Sequence, residues 1–135
     1  MILTDFEGEV KLRSQKDLVH RLSSIRQGVY GAFILTHKKN GPSLWVHVNN
    51  EFAWLNYFPV PDYLVHAGYH AIGMTPPKCK RPVRFKVHRN RIEEFGGAYI
   101  SIEPDNLVTF AEAVAAAREF FKQDSPPASI QWEEL

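Results

Sequence analysis

Ala32-Phe33-Ile34-Leu35-Thr36, Ser43-Leu44-Trp45-Val46-His47-Val48 and Phe52-Ala53-Trp54-Leu55-Asn56-Tyr57-Phe58 are three extended runs set close together in the chain. Each is rich in β-branched and aromatic residues, which suit a pleated surface that packs on one or both faces. Asn40-Gly41-Pro42 separates the first run from the second, and Asn49-Asn50-Glu51 separates the second from the third. Gly, Asn and Pro supply the backbone geometry of tight turns. The pattern is that of a β-meander. Several strand positions are apolar on both faces, so one face should pack on helices and the other on loops or a partner.

Upstream, Ser14-Gln15-Lys16-Asp17 opens a short helix, with Ser14 as cap and Asp17 at the capping-box position. Leu18, Leu22 and Ile25 share one face, and Gly28 closes the segment. Glu9-Val10-Lys11-Leu12 alternates and predicts a short edge strand. Downstream, Pro59 to Pro77 is irregular, with room for one short strand at Gly68–Gly73. Pro82 to His88 alternates, sending Val83, Phe85 and Val87 inward and Arg84, Lys86 and His88 outward. Gly97 to Ile102 is the last clear strand. Thr109-Phe110-Ala111-Glu112 is a capping box, with Val108 and Ala113 at the staple positions. The helix it opens runs to about Lys122, with Phe110, Val114, Ala117 and Phe121 on one stripe. Pro126-Pro127 then breaks the chain. Trp132 in the closing segment is an anchor, because chain ends fray unless tied down and an indole buries a large apolar area.

The order helix, four or five strands, helix predicts one α+β domain over residues 1–135. A largely antiparallel meander of four to five strands would carry an N-terminal and a C-terminal helix. A chain of 135 residues suits one domain. Its formal net charge of +1 exerts no global pull toward nucleic acid or anionic membrane. No run approaches the roughly 18 apolar residues that span a bilayer. Met1 to Glu7 lacks the basic-then-apolar pattern of a signal peptide. Cys79 is the sole cysteine, so no intrachain disulfide can form. Together these features predict a cytoplasmic protein.

The chain carries little that points to catalysis. It has no Gly-rich phosphate loop and no Gly-x-Ser-x-Gly elbow. The His-x-Glu and Pro-Cys-x-x-Cys elements of the zinc deaminases are missing too. Cys79 lies in a basic loop that could lower a thiol pKa, but an incidental surface cysteine explains it as well. His66 and His70 have the spacing of two metal ligands on a helix. Gly68 and the nearby prolines oppose a helix, and no further ligand follows at usual spacing. The expectation is therefore no catalytic residue, no metal and no cofactor. His47 alternates with Trp45 and should be a hydrogen-bonded structural histidine, whereas His20, His37 and His88 look like surface residues.

Residues 78–91 hold Lys78, Lys80, Arg81, Arg84, Lys86, Arg89 and Arg91 without an acid. Such a stripe could contact phosphates, which leaves a nucleic-acid-binding domain as the alternative function. With the whole chain near neutral, the favoured reading is a solvated outer face balanced by the acids of the C-terminal third, and the stripe could equally meet an acidic protein. The aromatics around the meander, with acids at loop ends, have the composition of an interface.

The three strand runs, the helix ending Ala117-Arg118-Glu119-Phe120-Phe121 and the tail Pro126-Pro127 to Ile130-Gln131-Trp132-Glu133-Glu134 occur here in a characteristic order. In this order the chain resembles the first-numbered immunity protein family of bacterial polymorphic toxin systems, over roughly residues 31–135. The resemblance implies a small cytoplasmic α+β protein that binds and neutralises a cognate toxin domain, plausibly a nucleic-acid deaminase or a nuclease, and that has no catalysis of its own. It implies a heterodimer with that toxin, with no direct contact to nucleic acid or membrane. Glu51, Asp62, Glu93 and Glu94 at loop ends, with Trp54, Tyr57, Tyr63 and Tyr69 as aromatic anchors, are the candidate partner-binding residues. Acids and aromatics of this kind could fill a toxin's basic active-site cleft.

Overall fold

The computed structural model describes residues 1–60, 68–72, 79–88, 92 and 96–135. The elements are β1 (Ile2–Thr4), β2 (Glu9–Lys11), α1 (Gln15–Ser23), β3 (Tyr30–Thr36), β4 (Ser43–Asn49), β5 (Phe52–Phe58), β6 (Tyr69–Ile72), β7 (Val83–Lys86), β8 (Tyr99–Ile102), β9 (Val108–Thr109), α2 (Phe110–Lys122) and β10 (Gln131–Glu134). A 3-10 turn at Pro104–Asn106 precedes β9. Eight strands form one sheet, ordered β10-β6-β5-β4-β3-β1-β2, with β9 also pairing with β5. The β7 and β8 strands form a separate ribbon. All of these pairings are antiparallel.

The α+β class agrees with the sequence, and the meander β3-β4-β5 lies at the centre of the sheet. The four- to five-stranded count does not hold. The N-terminal segment forms β1, inserted between β2 and β3, so the first helix follows two strands. The tail forms β10 on the opposite edge, with Trp132 in register with Ala71. Strands β1, β9 and β10 are too short to stand out in the sequence, and pairing with a neighbour orders them. The edge strand expected at residues 9–12 and the short strand expected at residues 68–73 are present as β2 and β6.

Alternation along the meander sorts side chains onto two faces. Phe33, Leu35, Leu44, Val46, Val48, Ala53, Leu55 and Tyr57 enter one core together with both helices. The helices supply Leu18 and Leu22 from α1, and Ala113, Ala116, Ala117 and Phe120 from α2. Each fully buried Leu stabilises the fold by about 1.5–3 kcal/mol relative to exposure. The α2 stripe is centred differently from the sequence expectation. Ala113, Ala116, Ala117 and Phe120 are buried, whereas Phe110, Val114 and Phe121 flank them half-buried. Small alanines let the helix approach the sheet closely, with Phe120 as the one large residue buried at the contact.

Both helix starts are capped as the sequence predicts. Ser14 Oγ accepts from Asp17 N–H at 3.1 Å. At α2 the box is reciprocal, with Thr109 Oγ1 accepting from Glu112 N–H and Glu112 Oε1 accepting from Thr109 N–H. The first helix stops at Ser23, before Gly28. Gly28 lies instead in the turn leading to β3, where its φ of +83° suits glycine.

The second face of the meander carries Ser43, Trp45, His47, Trp54, Asn56 and Phe58, all buried. The β7–β8 ribbon covers part of it, packing Val83, Phe85 and Ile102 with Trp54 and Leu107. His47 is a structural histidine as predicted. Its ring stacks on Trp54 at 4.6 Å, and Nδ1 lies 3.3 Å from the Trp54 carbonyl. His88 departs from the expected outward position. It is buried, its Nε2–H donates to the Asp5 carbonyl at 2.7 Å, and its ring stacks on Phe6. Strand β7 ends at Lys86, so alternation no longer governs residue 88. His37 is half-buried rather than at the surface, with its ring nitrogen against the Phe120 carbonyl at the end of α2. His20 is exposed as expected.

Trp132 ties down the tail. Its Nε1–H donates to the Pro127 carbonyl at 3.0 Å, and its ring lies 6.2 Å from that of Tyr57. Beside it, His70 Nε2 meets Glu133 Oε1 at 3.2 Å across the β6–β10 pair.

Candidate functional site

The tip of the β4–β5 hairpin is the best-defined presented surface among the described residues. Asn49 pairs with Phe52, leaving Asn50 and Glu51 as a two-residue turn with Asn50 at φ +54°. Asn tolerates this left-handed geometry better than most residues. Three hydrogen bonds fix the tip to three other parts of the molecule. Asn50 Oδ1 accepts from Gly28 N–H at 2.7 Å. Asn49 Nδ2–H donates to the Arg84 carbonyl in β7 at 2.7 Å. The Glu51 carbonyl accepts from Phe110 N–H at the start of α2 at 2.9 Å. An exposed carboxylate is thereby carried on a rigid mount. Such pre-organisation limits the conformational freedom lost when a partner binds.

Two shallow clefts flank this tip, and a third adjoins the first of them away from the tip. One of about 270 Å³ is lined by Ile25, Arg26, Gln27, Asn50, Glu51 and Phe110 among others. A second of about 290 Å³ lies on the other side, lined by Asn49, Glu51, Phe52, Pro82, Val83 and Arg84. A third of about 280 Å³ shares Arg26 with the first and extends to Phe6, Glu7, Val29 and Tyr30. Their walls mix cations, acids and aromatics. That is the makeup of a protein-binding rim rather than of an enclosed substrate pocket.

The candidate partner-binding residues fall in different places. Glu51 is exposed at the tip. Trp54 and Tyr57 are 4% exposed and belong to the two cores. Tyr57 Oη–H donates to the Asp124 carbonyl at 3.1 Å. Burial chiefly, then the nearby Asp124 charge and Tyr69, push its phenol above the usual range. Tyr69 is half-buried on β6, in register with Tyr57 and Glu134. Tyr57 lies five residues along β5 from Phe52, roughly 17 Å at strand rise, so the tip and Tyr69 are separate surfaces. Asp62, Tyr63, Glu93 and Glu94 lie outside the described residues, as do Lys78, Arg89, Arg91 and His66.

The other chemical candidates are held in structural contacts. The Cys79 thiol donates to the Arg81 carbonyl at 3.0 Å. His70 pairs with Glu133. Among the described residues no group of three His, Cys, Asp or Glu could hold a metal ion. Burial holds the His47 imidazole down to about 4, against the opposing effect of the Trp54 carbonyl, so it is neutral near pH 7. No described helix is long and apolar enough to cross a membrane. The sequence reading missed Asn49, Asn50 and Gly28 as the groups that hold Glu51. Asn-Asn before Glu signalled a turn, but the partners of the two amides come from residues 22 to 35 positions away.

No protein-family model matches the chain. The chain is similar to the double-stranded DNA deaminase immunity protein of Burkholderia cenocepacia, at 28% identity over 138 residues and 100% of both chains. The chain resembles a deaminase immunity protein from end to end. The likeness includes the first 30 residues, beyond the stretch on which the sequence motifs rested. It agrees with the resemblance to deaminase-toxin-associated immunity proteins.

Proposed function

We propose that this protein is an immunity protein that binds a cognate deaminase toxin domain and neutralises it, without catalysis of its own. The full-length similarity to a double-stranded DNA deaminase immunity protein carries this reading. Residues 1–135 act as one immunity-protein-like domain in the cytoplasm, where DNA is exposed to such a toxin. The toxin and the protein form a heterodimer, and the toxin's active site is closed to DNA.

The rigid Glu51 tip suits that task. A surface that acts on DNA is basic, and a fixed carboxylate beside clefts can enter it with little loss of freedom. Tyr69 and, outside the described residues, Asp62, Tyr63, Glu93 and Glu94 remain proposed contacts. Trp54 and Tyr57 serve the site by holding the sheet beneath it. The experiment is co-expression of the cognate deaminase toxin domain with the wild-type protein or with Glu51→Lys. Wild type rescues growth and co-elutes with the toxin, and Glu51→Lys does so poorly while staying folded. Growth arrest with wild-type protein present and folded overturns the proposal.

A further inference from the structure

The β7–β8 ribbon packs its inner face on Trp54, while its outer face carries Arg84 and Lys86 on β7 with Tyr99 and Ser101 on β8. Each cation lies over an aromatic ring. The Arg84 guanidinium carbon is 4.0 Å from the Tyr99 ring centre, and Lys86 Nζ is 4.8 Å from that of Phe6. Tyr30 meets Tyr99 edge-on at 5.7 Å. The rings hold both long side chains in place.

Neither cation has a carboxylate partner among the described residues, where the one ion pair joins His70 and Glu133. Three acids of the C-terminal third are engaged elsewhere, among them Glu133 with His70. Glu112 closes its own helix cap and Glu119 accepts from Ser129. Apolar exposure gathers on the same side. Tyr99 is 43% exposed, and Val29, next to Tyr30, is 45% exposed. Ile92, whose carbonyl accepts from Gly97 N–H just before β8, is 38% exposed. Cations held over rings, with no carboxylate partner among the described residues and with exposed Tyr99, Val29 and Ile92 beside them, have the composition of an interface hot spot.

We propose that this outer face is a second docking surface of the protein, and that it takes an acidic segment of the toxin domain. The inference rests on the immunity reading and extends it. The partner is gripped at two places of opposite sign, with the Glu51 tip meeting a basic region and Arg84, Lys86 and Tyr99 meeting carboxylates. Arg84 donates two N–H bonds to a carboxylate, and Tyr99 supplies the apolar floor. A protein partner is favoured over nucleic acid because two ring-bound cations make few phosphate contacts, and because Glu51 lines the adjoining cleft with Arg84.

The test is binding kinetics between the full-length protein and a catalytically inactivated form of the cognate deaminase toxin domain. Wild type is compared with Arg84→Glu/Lys86→Glu, with Tyr99→Ala, and with Lys16→Glu/Lys38→Glu as a control of equal charge on other surfaces. All are checked for unchanged thermal unfolding. The ribbon reversal weakens binding by about 100-fold or more, largely through a slower on-rate at low salt. The control changes it by about threefold or less. A toxin acid-to-lysine substitution that restores binding of the reversed ribbon identifies the contacting segment. Tight wild-type binding untouched by the ribbon reversal overturns this proposal and leaves the immunity reading standing. No binding by folded wild type overturns both. Binding of a short single-stranded DNA by wild type, lost with rising salt and with the reversal, overturns the protein-docking role in favour of nucleic acid.

Discussion

Acidification should expose the buried His47. In the folded protein this ring takes up a proton only near pH 4, because burial opposes its charge. In the unfolded chain it does so near the usual 6.5. Between these values the unfolded state binds more protons than the folded one, so stability falls as pH falls from about 6.5 toward 4. The gap between 6.5 and about 4, at about 1.36 kcal/mol per pH unit, is worth roughly 3 kcal/mol. That is a large share of the 5–15 kcal/mol that typically stabilises a domain. His47→Gln removes the titration and can keep a donor toward the Trp54 carbonyl. Urea unfolding of both proteins at intervals from pH 7 to pH 4 isolates the effect, since every other titrating group is shared. Wild type is the more stable at pH 7, and its advantage shrinks by about 3 kcal/mol by pH 4. An advantage that stays constant over this range would refute the account of a neutral, dry imidazole stacked on Trp54.

Three further outcomes follow from the packing. Trp132→Ala should cost about 2–3 kcal/mol, below the range for a fully buried Trp because this ring is half-buried, and Trp132→Phe about 1 kcal/mol for the lost bond to Pro127. Denaturant midpoints check both, and an Ala variant as stable as wild type would show that the tail is not anchored. Asn56 is fully buried and neither amide atom has a hydrogen-bond partner among the described residues, so Asn56→Leu should raise stability by about 1–2 kcal/mol. A loss instead would mean that a bound water serves the amide. Gly68→Ala places a Cβ against the Phe58 ring and 3.0 Å from the Tyr57 carbonyl, so it should lower the melting temperature; an unchanged melt would sink that contact.

The parts legible in the sequence are those with enough length to show a period. Seven-residue strands β3, β4 and β5 announce themselves, as do the two capped helices. Strands β1, β9 and β10 do not, because their order comes from partners far away in the chain. The tail shows this well: Trp132 was readable as an anchor, but its place beside Ala71 depends on β6. Residue type also fails to separate core from surface. Trp54 and Tyr57 have interface chemistry and lie in the interior, where the ribbon and α2 cover the two faces of β5. Glu51 was legible as a loop-end acid. Its rigidity was not, since the groups that hold the tip belong to Gly28, Arg84 and Phe110.

The central claim is that this chain neutralises a deaminase toxin. The most direct measurement titrates the purified protein into the proposed cognate toxin domain while following deamination of a DNA duplex. The account predicts that activity falls linearly and vanishes at an equimolar amount. Undiminished deamination in the presence of a large excess of folded protein would contradict it.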